Sequence, residues 1–175
     1  MSNVDIIIHR GTHQIGGVAT EIRTENARII IDMGDELCLK PEDVSRPLDI
    51  DGVTNDNGKC DAVFFTHYHS DHIGQFHRVR EGIPMYMGGL AKEIFLLSHH
   101  FESEEHKARA TKIKTFKARK GVKVKDITVI PFLVDHSASD AYMFLIKAGE
   151  KKILHTGDFR LHGFRSKGFL PTIQK

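Results

Sequence analysis

Six consecutive residues, His67, Tyr68, His69, Ser70, Asp71 and His72, place three imidazoles and one carboxylate within a single short stretch. Two residues apart in an extended loop, His67 and His69 project to the same side. Asp71 and His72 open the segment that follows and turn back toward them. Four ligand side chains therefore converge without any long-range folding. Imidazole and carboxylate are the donors that suit zinc, manganese or iron, so the residue types match a hydrolytic transition-metal site.

Such a cluster needs elements to hold it. The short apolar run 61–65 reads as a buried strand leading into it, and residues 71–80 read as an amphipathic helix leading out. Three further candidates stand where strands end: Asp32 after 27–31, His136 after 127–134, and Asp158 after 152–154 with Gly157 between. Alone, each has an ordinary reading as a turn former or a surface residue. Side chains at strand ends leave the core while their backbone stays held by the ladder, and with the cluster these three form a set. The rest of the chain supplies more strands, at 4–9 and 18–23 near the start and at 127–134, 141–148 and 152–156 near the end. A short strand is expected at 84–87 and a helix at 90–101. Residues 11–17 form a glycine-bearing loop and 34–59 a long, acidic surface loop. From Lys107 to Lys125 there are nine Lys or Arg and no acidic residue, predicting a basic helix or loop that could track phosphates.

With 175 residues, 40% of them hydrophobic, the chain has material for one sizeable core, and a single domain over 1–175 is expected. A net charge of +2 is too mild to announce a nucleic-acid partner, whereas 12 histidines are many for this length. No stretch resembles a targeting leader or approaches the roughly 20 apolar residues of a membrane span, so a soluble, cytoplasmic protein is expected. Cys38 and Cys60 form no C-x-x-C pair and read as reduced thiols. The pairs His9 with His13 and His99 with His100 lack supporting ligand spacing and receive no role.

The strings IIIDMGDEL, THYHSDHIG, VDHSASDAYMFLI and ILHTGDFRLHG resemble, in order, the motifs of the metallo-β-lactamase superfamily. The last two, with DHS and then GDFR and HG, are most similar to the branch of ribonuclease J and the other β-CASP nucleases. The resemblance implies an α/β fold, an αββα sandwich with two metal ions at its sheet edge, and hydrolysis of RNA, by an exonuclease or endonuclease, through a metal-activated water. It implies that His67, His69 and His136 hold one zinc ion, Asp71 and His72 the second, and that Asp158 bridges both, with manganese as the other candidate metal. Asp71 would accept a proton from the bridging water or orient it, and Asp32 would be an orienting carboxylate. Arg160, two residues after Asp158, would meet a substrate phosphate bidentately, and His162 would lie on the phosphate side. Members of the family carry a further ligand histidine beyond the last strands and a β-CASP insertion before it. Neither occurs before Lys175, so the expectation is an incomplete sandwich with open strand edges, a weak second metal and a tendency to form homo-oligomers. Two other functions compete: a small-molecule hydrolase of the lactonase, thioesterase or glyoxalase type, and a non-catalytic, metal-stabilised RNA-binding module.

Overall fold

Alternation of side chains along the strands builds the fold. In β3 (Arg28–Ile31) Ile29 and Ile31 face one way and Ile30 the other, and in β4 (Ala62–Phe64) Ala62 and Phe64 oppose Val63. Both faces are apolar, so these strands must be covered on both sides. They lie at the centre of a six-stranded sheet in the order β1 (Asp5–Arg10), β2 (Ala19–Arg23), β3, β4, β5 (Met85–Gly88), β6 (Lys114–Phe116). The β1–β2–β3 part is antiparallel, whereas β3 through β6 pair in parallel. Parallel neighbours require crossovers, here α1 (Ser70–Ile73), then α2 (Gly89–Ser98) and α3 (Glu104–Thr111).

This architecture comes from a computed structural model that describes residues 3–37 and 44–174. A second, antiparallel sheet has the order β10 (Lys151–His155), β9 (Tyr142–Ala148), β8 (Ile127–Leu133), β7 (Val122–Val124). One core joins the two sheets through Ile29, Ile31 and Phe64 against Val129, Phe144 and Ile146. The other packs α2 and α3, through Ala91, Phe95 and Ala110, on Ile30, Val63 and Phe65. The layers are therefore helix, sheet, sheet. On the outer face of the second sheet the described residues place only α4 (Phe169–Ile173), whose Phe169 packs against a small patch containing Val134 and Met143.

Several local expectations need correction. The helix expected over 71–80 is a single turn, α1, followed by a separate 3-10 turn over Phe76–Arg78. Its carbonyls are taken from outside: Ser70 and His72 accept from the Asp35 and Met33 amides at 2.9 and 2.8 Å, and Asp71 from Val18 at 3.0 Å. The helix expected over 90–101 ends at Ser98. The stretch 34–59 lies on the surface only in part, because Leu48, Ile50 and Val53 are buried in the helix-side core. The basic run is no single element; it divides into the end of α3, β6 and β7. Within it Arg109 bonds the Val79 carbonyl, Lys125 pairs with Asp61 at 2.7 Å and Lys114 lies over the Tyr86 ring, while Lys107, Lys112, Lys117, Arg119, Lys120 and Lys123 are exposed. Cys38 lies outside the described residues. Cys60 is a free thiol that burial pushes up to about 11.

Candidate metal centre

The parallel strands end at one edge, and the candidate residues stand there. Asp32 follows β3 directly, and Thr66 and His67 follow β4 after Phe65. Asp32 is fully buried with φ of 62°, a left-handed backbone turn that aims its carboxylate along the edge of the sheet. Its Oδ1 accepts from the Thr66 amide at 2.8 Å, and its Oδ2 accepts from the Thr66 hydroxyl at 2.8 Å and faces His72 Nδ1 at 2.7 Å. Behind it, Gly34 lets the chain pass against α1. A Cβ there would lie 1.7 Å from the Asp71 carbonyl oxygen, so the glycine of the DMG string is required by close approach.

From the second sheet, β8 delivers His136 and β10 delivers Asp158. The two sheets are tied at this point by the Tyr142 amide, which donates to the Thr66 carbonyl at 3.0 Å. Tyr68 adds a further tie, its hydroxyl accepting from the Ser139 amide at 3.1 Å. The imidazoles thereby meet. His69 Nδ1 lies 3.1 Å from His67 Nε2 and 3.3 Å from His136 Nε2. His72 Nε2 lies 3.5 Å from Asp158 Oδ2 and 3.6 Å from Asp71 Oδ2, and His136 Nε2 stands 3.8 Å from Asp158.

Two overlapping groups result, His67 with His69 and His136, and His67 with His72 and Asp158, each with its donor atoms within 4.8 Å of one another. Asp71, expected beside His72, is close to it but stands outside both groups, with His67 taking part in each. Arg160 donates through Nε to Asp135 Oδ1 at 2.8 Å. His162 is exposed and joins neither group.

The electrostatics divide the histidines. Burial and the neighbouring His72 push His67 down to about 3, and burial also lowers His136, so both rings are neutral and offer lone pairs at neutral pH. His72 moves the other way. Burial opposes its charge, but the carboxylates of Asp32, Asp158 and Asp71 raise it. Asp158 falls to about 2, chiefly through its contact with His72. The neutral imidazoles of His67 and His136 and the ionised Asp158 offer lone pairs at one point, and a divalent cation would take the place of the His72 proton, the donor set matching zinc or manganese.

Reasoning from sequence overlooked Thr66, Tyr68, Asp135 and His155. None of the four has a ligand spacing of its own; Thr66 and Asp135 are marked only by standing next to His67 and His136. His155, the last residue of β10, is depressed by burial near Asp32 and His72.

Residues 28–165 match the family model described as a β-lactamase superfamily domain, which is most of the chain. The chain belongs to the metallo-β-lactamase superfamily. Among its superfamily relatives, ribonuclease J of Helicobacter pylori (strain ATCC 700392 / 26695) is 25% identical over 154 residues, covering 86% of this chain and 22% of that protein. The chain thus spans about a fifth of that relative's length. A crystal structure of an Enterococcus faecalis V583 protein of unknown function superposes with a TM-score of 0.78 at 24% identity, over 99% of this chain and 47% of the other. The metallo-β-lactamase fold protein YhfI of Bacillus subtilis gives 0.55 at 15% identity, over 87% and 61%. The mixed α/β architecture with two packed sheets is that of the metallo-β-lactamase fold, and the chain carries a histidine and aspartate cluster able to hold a metal ion. No helix among the described residues is long and apolar enough to cross a membrane.

Proposed function

We propose that the site is that of a metal-dependent phosphodiesterase acting on RNA. The observation that carries the reading is the convergence of His67, His69, His72, His136 and Asp158, from three separate segments, beside Asp71. Its direction toward RNA is supported by the DHS and GDFR strings, by the ribonuclease J relatives, and by the exposed lysines of the basic run.

In this reading His67, His69 and His136 would hold one ion, and Asp71, His72 and Asp158 would serve a second. Zinc or manganese, when bound, supplies Lewis acidity toward a phosphoryl oxygen and toward water. The protein supplies the rest. Asp32 fixes His72 so that its Nε2 faces the pocket, and Asp71 accepts the proton from the attacking water or holds that water in line. Arg160 is anchored through Nε, and its terminal nitrogens, without a hydrogen-bond partner among the described residues, are available to a phosphate.

The test is cleavage of end-labelled single-stranded RNA by the purified chain with Mn2+ or Zn2+, beside a panel of lactone and thioester substrates. RNA turnover that falls at least about a hundredfold in both Asp71→Ala and His69→Ala supports the reading. Turnover of the small substrates with RNA untouched replaces it with the small-molecule hydrolase. Salt-sensitive RNA binding without turnover of any substrate replaces it with the metal-stabilised binding module.

A further inference from the structure

Although β8 and β10 carry His136 and Asp158, they are not neighbours, because β9 lies between them and pairs with each. No ladder joins the two strands directly, and the loops that leave them run beyond the last paired residues. Asp135 bridges that gap. It immediately precedes His136 and is 6% exposed, and three of its oxygens face the segment after Asp158. Its backbone carbonyl accepts from the Arg160 amide at 2.7 Å. Oδ1 accepts from Arg160 Nε at 2.8 Å, and Oδ2 from the Arg165 amide at 2.6 Å.

The segment is shaped to this carboxylate. A Cβ at Gly163 would fall 2.2 and 2.3 Å from the two oxygens, so only glycine allows the loop to wrap so closely. The Ser166 hydroxyl closes the turn by donating to the Gly163 carbonyl at 2.6 Å. Beyond it, Phe159 and Phe169 stack at 4.3 Å and fasten the wrap to the second sheet. A buried carboxylate is costly unless its oxygens are satisfied, and this one is satisfied almost entirely by the loop that carries Asp158.

We propose that Asp135 is a positioning residue that locks the Asp158 loop onto the His136 loop, setting the separation of the donors that the two loops bring to the metal centre. The metal-binding part of the inference rests on the reading above; the locking of the loops does not. Outer partners of ligands typically govern about ten- to a hundredfold in metal affinity.

The experiment compares the wild-type chain with Asp135→Ala and Asp135→Asn in two measurements. One is Zn2+ and Co2+ affinity by competition with a chromophoric chelator; the other is amide hydrogen exchange of the metal-free protein. In Asp135→Ala the amides of Arg160 and Arg165 should lose protection while those of β8 and β9 keep theirs, and the affinity of the site containing Asp158 should fall about tenfold or more. Asp135→Asn, which keeps one carbonyl acceptor, should fall between. Unchanged protection at both amides, or metal affinity within about twofold of wild type, overturns the inference. Should Asp135→Ala fail to fold, Arg160→Met, which removes only the Nε bond, must show the same directions or the proposal fails. A wild-type chain that takes up neither ion defeats the metal reading, and hydrogen exchange alone then decides the lock.

Discussion

The Thr66 hydroxyl determines which nitrogen of His67 is free. Asp32 can only accept, so Thr66 Oγ1 donates to it at 2.8 Å and must accept from His67 Nδ1 at 3.0 Å. The proton is thereby held on Nδ1, and the Nε2 lone pair faces His69 and His136. Thr66→Val should weaken metal binding by about ten- to a hundredfold, and Thr66→Ser, which keeps the hydroxyl, should restore most of it. Chelator competition distinguishes the two, and equal affinity in both variants would refute the assignment. The histidine cluster itself was legible in the sequence because its geometry is local. Thr66 was not, since its partner Asp32 lies 34 residues away and threonine has no metal-ligand pattern of its own. For Arg160, proximity to Asp158 was visible in sequence, whereas its engagement with Asp135 depends on two strand ends that only the fold brings together.

At the scale of elements, the strands were legible wherever apolar residues alternate or run continuously, as in β3, β4 and β9. The helix expected after the cluster was overestimated because sequence periodicity does not show that the 33–35 segment takes its carbonyls. Leu48, Ile50 and Val53 were missed because an irregular segment buries side chains without period. Glu21 in β2 ties this sheet together. Almost wholly buried, it meets His9 of β1 at 2.8 Å and Arg28 of β3 at 2.6 Å. Burial opposes its charge, yet His9 and Arg28 hold it down to about 2 from an ordinary 4.5. With the folded value below the unfolded one, the stabilisation is complete above about pH 4.5 and is lost as pH falls toward 2. Glu21→Gln should cost about 2 kcal/mol at pH 7 and progressively less toward pH 3. Urea melts at the two pH values check this, and a pH-independent cost would show that the charge is immaterial.

For the whole molecule, a cation bound only by the folded state adds stability by mass action. At a hundredfold excess over its dissociation constant, zinc should contribute about 2.7 kcal/mol, which raises the melting temperature of a chain of this size by roughly 5–10 °C. A chelator should reverse the shift, and His136→Ala should abolish most of it, as calorimetry would show. The general architecture was legible through the resemblance of the ordered motifs to a known superfamily, while periodicity gave only the separate strands. The extent of each layer was not, because composition says nothing of which faces meet.

The donors are spread along the chain from His67 to Asp158, in both sheets, and the cluster is complete only after parallel strands with long crossovers have paired. Four candidate donors, His67, His69, Asp71 and His72, are close in sequence, but His136 and Asp158 join them only when the second sheet is in place. The full donor set therefore cannot form during synthesis until the chain has been made as far as Asp158 and both sheets have assembled.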